Sequence, residues 1–149
     1  VLSRDALLAY AHFIAIFALA SLLAGELFVL RETLTVAMLR RLRGMDRWYG
    51  IVAGLVILTG LGRLFFGLKG PAFYAGNAVF WTKMMLFVVV ALLSVVPTVI
   101  LLRSPADGAP DTLVVFENAR YERLRTFLWA QVAVFLFIPL CAAFMARGL

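Results

Sequence analysis

The chain has 149 residues, of which 64% are hydrophobic and 15% charged, and it carries a formal net charge of +6. With a mean hydropathy of +1.01, that balance excludes an ordinary soluble domain, in which about a quarter of the residues are charged. The basic residues cluster at the ends of apolar stretches, which points to lipid headgroups and topology rather than to nucleic acid. A single cysteine, Cys141, excludes an intramolecular disulfide or a multi-cysteine metal site.

Four apolar stretches carry most of the chain, each near the roughly 20 residues that cross a bilayer. They predict an all-α integral membrane four-helix bundle, up-down-up-down, as one membrane domain over residues 1–149. The first span covers residues 7–30 and is too long for a signal-peptide core, so it is expected to remain in the protein. Residues 31–47 form a basic amphipathic stretch with Leu34, Met38 and Leu42 at helical spacing and Arg40, Arg41 and Arg43 crowded near its end. That stretch is expected to prolong the first helix out of the bilayer or to lie along the interface. Span two, residues 48–66, opens on Trp48 and Tyr49 as interfacial anchors. Gly50-x-x-x-Gly54 and Gly60 within it predict close helix packing. A glycine-rich loop with Lys69, Pro71 and Tyr74 leads to span three, residues 79–102, where Pro97 is expected to kink the helix or free a carbonyl. Residues 104–111, with two prolines, two aspartates and a glycine, read as loop. A charged helical lead-in over residues 117–125 then opens span four, residues 126–146.

Topology follows from lysine and arginine. The first and third connections hold nine of them and the other side five, which favours those connections in the cytoplasm and both termini outside. Three ionisable residues lie within the apolar spans: His12 and Glu26 in the first, Lys83 in the third. Such a group costs about 2.5–3.5 kcal/mol at a helix centre and usually faces the bundle interior. His12, the sole histidine, lies about 7–8 Å inside the outer end of its span. Lys83, Met84, Arg63 and Met145 fall in the same outer layer. His12 has three uses open to it: ligating a metal or haem, relaying protons, or bonding a neighbour. Arg63 and Lys83 are placed to meet the propionates of a porphyrin, Met84, Met85 or Met145 to supply a sixth ligand to a haem that could also be five-coordinate, and Lys83 could instead snorkel to the headgroups. Glu26 lies in the opposite half, near Arg31 and within reach of Arg47 or Arg103 in a compact bundle, where it pairs for structure or passes protons. No phosphate loop, zinc-type histidine pair or nucleophile–histidine signature is present in the sequence.

With His12 upstream and Lys83 later, the segment Ala24-Gly25-x5-Arg31 resembles a small bacterial four-helix family of predicted membrane proteins of unknown function. The resemblance runs from the first span to Leu102 and includes Tyr49-Gly50 and Phe80-Trp81-Thr82-Lys83. More distantly, the chain is similar to the HemJ-type protoporphyrinogen oxidases, small helical membrane proteins that bind haem b. That similarity implies His12 as axial iron ligand, with Arg31 and Lys83 matching basic residues needed for activity. The gap from His12 to Gly25 is longer than in the oxidases, and Glu32 and Thr33 stand where they often carry a further histidine. These features set up the leading expectation, a multi-pass protein of the bacterial inner membrane that binds haem b or another porphyrin. Tetrapyrrole oxidation or electron transfer to quinone would be its chemistry, making it an oxidoreductase. The alternative is a non-catalytic subunit of a larger membrane complex or a homo-oligomer. A proton conductor using Glu26 and His12 is a third reading, weakened by the roughly 21 Å between them along one helix.

Overall fold

The computed structural model describes residues 2–67 and 69–147, with the Leu2 and Met145 side chains outside the described set. Its elements are α1 (Leu2–Val29), β1 (Thr33–Thr35), α2 (Val36–Phe66), α3 (Gly70–Ala75), α4 (Ala78–Arg103), β2 (Leu113–Val115) and α5 (Asn118–Ala146). Among the described residues, four helices are long and apolar enough to cross a membrane: α1, α2, α4 and α5. Helix α1 packs along α2 and α4 along α5, and contacts of α2 with α4 and of α1 with α5 join the two pairs. The α1–α2 pair is antiparallel, since His12 lies against Gly60 and Leu8 against Gly62, whereas Met45 lies against Gly25.

Helix α2 is the main departure from the sequence reading. Its 31 residues make a rod of about 46 Å, well beyond the roughly 30 Å hydrocarbon core. The basic stretch after Arg31 is therefore the protruding first third of α2 rather than a continuation of α1. Chain reversal comes earlier, at residues 30–35, because β1 pairs antiparallel with β2 in the register Thr33↔Val115, Leu34↔Val114 and Thr35↔Leu113. The ribbon resolves a problem that every helix start has, namely amide groups without an intrahelical acceptor. Val36 N donates to Thr112 O, Ala37 N to Pro110 O, and Met38 N to the Thr35 hydroxyl as N-cap.

Arginines lock the same end. Arg40 donates to the carbonyls of Ala106 and Gly108, and Arg43 to those of Leu101, Leu102 and Ser104 at the C-terminus of α4. Gly108, at φ 111°, adopts a backbone that side-chain-bearing residues rarely reach. Residues 104–117 are thus an ordered strap tied to α2 rather than a free loop. Most of the tightest packing is here too: Leu30, Leu34, Leu39, Leu42, Leu101 and Leu124 are all buried. Away from this ribbon end the large apolar residues turn outward, among them Phe17, Leu58, Met85, Leu92 and Leu136. Such a belt has no place in water and suits lipid.

At the other end, the expected loop contains the short helix α3, and Asn77 caps α4 by accepting from Val79 N and Phe80 N. Helix α4 runs through Pro97, which is buried, without interruption. Of the two expected aromatic anchors, Trp48 is exposed but Tyr49 faces the core at 5% exposure.

Candidate functional site

Two polar layers lie inside the bundle. The first is far from the ribbon and contains the predicted residues His12, Arg63 and Lys83. His12 projects from α1 onto α2, where its Nδ1 is 3.0 Å from Thr59 Oγ1. Gly60 makes room for the ring, since a Cβ there would stand 3.3 Å from His12 Cε1. Thr59 Oγ1 is also 2.7 Å from the Leu55 carbonyl and 3.2 Å from that of Val56. With its one proton on either carbonyl the hydroxyl accepts from Nδ1–H, and that tautomer leaves the Nε2 lone pair free.

Arg63, one turn beyond Thr59, and Lys83 of α4 are the charges that act on this ring. Arg63 Nε is buried without a hydrogen-bond partner, and its guanidinium lies over the Phe13 ring. Lys83 is within electrostatic reach of Arg63 and of Cys141 on α5. Its ammonium lies 5.5 Å from the Phe80 ring centroid, back along α4 toward the helix start. Met84 is half-buried beside it. Asp5 closes the layer at its edge, with Oδ1 3.1 Å from where a Cβ on Gly67 would sit. All four spans therefore contribute a polar or sulfur-bearing side chain here.

The second layer, at the ribbon end, was only partly visible in the sequence. Glu26 is 2% exposed and its Oε1 has no hydrogen-bond partner. The expected pairing with arginine does not form at that oxygen. Arg31 instead donates to the carbonyls of Phe28 and Leu30, the acceptors left open where α1 ends. Arg47 and Arg103 are both exposed. The charge that acts on Glu26 is Asp46 of α2, whose Oδ1 accepts from Thr98 Oγ1 of α4 at 2.8 Å. Tyr49, one turn along from Asp46, interacts with both carboxylates, and its hydroxyl is buried without a partner. Gln131 of α5 is 1% exposed and its Oε1 is likewise unpartnered. The groove that α1 and α5 share sets Leu27 and Leu30 beside Arg125 and Trp129. Antiparallel continuation puts Gln131 near Leu23, about 4.5 Å along the axis from Glu26.

Asp46, Thr98 and Gln131 escaped the sequence reading. Asp46 is hidden in a run of arginines that looked solvated, and Thr98 and Gln131 are uncharged. Their signal was periodicity. Asp46 continues the buried stripe Leu39, Leu42, Tyr49, and Gln131 continues Leu124 and Leu128. Arg31 and Lys83, which the oxidase similarity couples, stand in opposite halves of the bundle. Among the described residues, nothing lies within 4 Å of a Cβ built on Gly50 or Gly54. Among the described residues no group of three or more histidine, cysteine, aspartate or glutamate side chains gathers to hold a metal ion.

Four long apolar helices, with two polar layers set in an apolar core and an apolar outer face, define a multi-pass membrane protein whose environment is the lipid bilayer. The chain belongs to the family described as "Predicted membrane protein (DUF2214)", which it matches over residues 4–149. The match extends through the last span, beyond the Leu102 limit that the sequence motifs suggested. No curated protein and no solved structure matches the chain.

Proposed function

We propose that the protein binds haem b, or a porphyrin of the same shape and charge, in the layer of His12, Arg63 and Lys83. The observation that carries this is the Thr59–His12 hydrogen bond at Nδ1, which in the Nδ1–H tautomer leaves Nε2 free to bind iron. Metal-ligating histidines are oriented in this way, by a partner on the second nitrogen that fixes ring and tautomer. Arg63 and Lys83 supply the positive field that two propionates need, and Met84 stands beside Lys83 as the candidate sixth ligand. Haem, when bound, supplies one-electron chemistry, so tetrapyrrole oxidation or electron delivery to quinone is the reaction class this assignment implies. The chain's own part is to hold, orient and neutralise the cofactor within a low-dielectric bundle. Purified protein, expressed with ample haem, should show a Soret band that His12→Ala abolishes and Thr59→Val shifts. A colourless protein under those conditions overturns the assignment. An unaltered band in His12→Ala removes His12 as ligand.

A second reading, a non-catalytic subunit of a larger membrane complex, draws on Gly50 and Gly54, which present an open small-residue face on α2. Small residues at this spacing let another helix approach closely. Recovery of a stoichiometric membrane partner with no bound cofactor, lost in Gly54→Leu, would favour it. The basic first connection gives that reading less than its charge suggests, because Arg40 and Arg43 are committed to carbonyls of the strap and α4.

A further inference from the structure

Where α4 ends and α5 begins, a groove of about 480 Å³ opens at the ribbon end, and none of its lining residues belongs to either polar layer. Arg103 lines it from the last turn of α4, and Arg120 and Arg123 from the first turns of α5. Arg120 and Arg123 are three residues apart and so lie on one helical face. All three are exposed. Glu117 also lines the groove, so its four charged side chains sum to +2. Its wall toward the bilayer is apolar, with Val96 and Val99 of α4 among the lining.

Cations above a hydrocarbon wall match one kind of molecule, a negatively charged headgroup on an acyl chain. We propose that this groove is a binding site for an anionic phospholipid. Its phosphate meets the guanidinium forks of Arg120, Arg123 and Arg103, and its acyl chain runs along Val96 and Val99. Guanidinium suits this task because its planar fork donates two parallel hydrogen bonds to a phosphate. Basic pockets between spans are a recurring way of holding such lipids. Glu117 offsets one of the three positive charges and leaves the groove net positive. The smaller groove on the other face of α5, lined by Arg31 and Arg125, is the weaker candidate, because it holds two arginines rather than three and Arg31 already gives its Nη1 to two carbonyls.

The test uses the full chain in phosphatidylcholine vesicles carrying a minority of spin-labelled phosphatidylglycerol, with labelled phosphatidylcholine as the reference lipid. The fraction of motionally restricted label reports selectivity. The intact protein should select the anionic lipid, and Arg120→Gln with Arg123→Gln should lower that selectivity about five-fold per arginine. The control, Arg41→Gln with Arg47→Gln, removes the same charge from exposed positions on α2 and should leave selectivity near its starting value. Equal losses in the two double variants would mean diffuse attraction and no site. Absence of selectivity in the intact protein would also overturn the proposal, as would displacement of the lipid by inorganic phosphate, which would mark a site for the free anion. Should the double variant fail to reach the membrane, Arg103→Gln alone carries the same expectation at one-arginine size.

Discussion

Replacing Gln131 by methionine should stabilise the protein. Gln131 is 1% exposed, and its Oε1 has no hydrogen-bond partner. A buried acceptor left unsatisfied costs about 1–3 kcal/mol, whereas an unbranched thioether of similar length fills the same space without a polar group. The reference state strengthens the expectation. Separated helices in a membrane let a polar side chain find another partner, so glutamine favours the dissociated state as well as penalising the packed one. For a chain of this size each kcal/mol moves the midpoint by about 2–4 °C, so Gln131→Met should raise it by about 2–12 °C. Thermal unfolding in one detergent, followed by circular dichroism at several protein concentrations, is the measurement. A fall in the midpoint would refute the reasoning. It would mean that Oε1 accepts a hydrogen bond from a neighbour such as Tyr49, and that the layer coheres as a satisfied network.

Thr98→Val should destabilise by about 1–3 kcal/mol, because it takes the hydroxyl from the buried Asp46 carboxylate. Thr82→Val, which loses only a bond to the Ala78 carbonyl on an exposed face, should be close to neutral in the same melt. Gly60→Ala puts a methyl 3.3 Å from His12 Cε1, so it should cost about 1–3 kcal/mol by overpacking. Gly54→Ala, with open space above it, should be neutral or gain up to about 1 kcal/mol of helix propensity; the reverse order would show that Gly54 packs on something in the folded protein. Arg43→Met should loosen the ribbon end, seen as faster amide exchange over residues 101–117, since three carbonyls lose their donor. Unchanged exchange there would show that β1 pairing, Arg40 and the first amides of α2 hold the strap without Arg43.

The four spans were legible because bilayer thickness and backbone satisfaction leave a long apolar segment few alternatives. The helix boundaries at the ribbon end were not. The arginines of α2 read as a surface stretch because their charge is visible in sequence and their acceptors are not. Those acceptors are carbonyls of residues 58 to 68 positions away. The strap likewise read as loop, since prolines and glycine mark irregular backbone but do not say what it is tied to. His12, Arg63 and Lys83 were legible as one layer because depth along antiparallel helices follows from counting residues, and the structure puts them within electrostatic reach of one another. Which side of α1 each polar residue faces required the packing: Glu26 was matched to nearby arginines by sequence distance, yet its neighbours are Asp46 and Tyr49 on the facing helix.

The two polar layers do not form one pathway. Along α2 the polar side chains directed at the core stop at Tyr49 and resume at Thr59, ten positions or about 15 Å later. The core across that gap is Leu19, Ala15, Val52, Val56 and Val90, all buried and all apolar. A proton crossing it would need a file of waters, and a buried water needs two to four polar partners that this stretch does not offer. Proteoliposomes loaded with a pH-sensitive dye should therefore show no more proton flux under an imposed potential than empty vesicles. A flux that both His12→Ala and Glu26→Gln abolish would contradict this and restore the conductor reading. If the flux is absent, the layers act separately. Cofactor spectra should then respond to changes at His12 and Thr59 but not at Glu26, and stability should respond to Gln131 and Thr98 whether or not haem is bound.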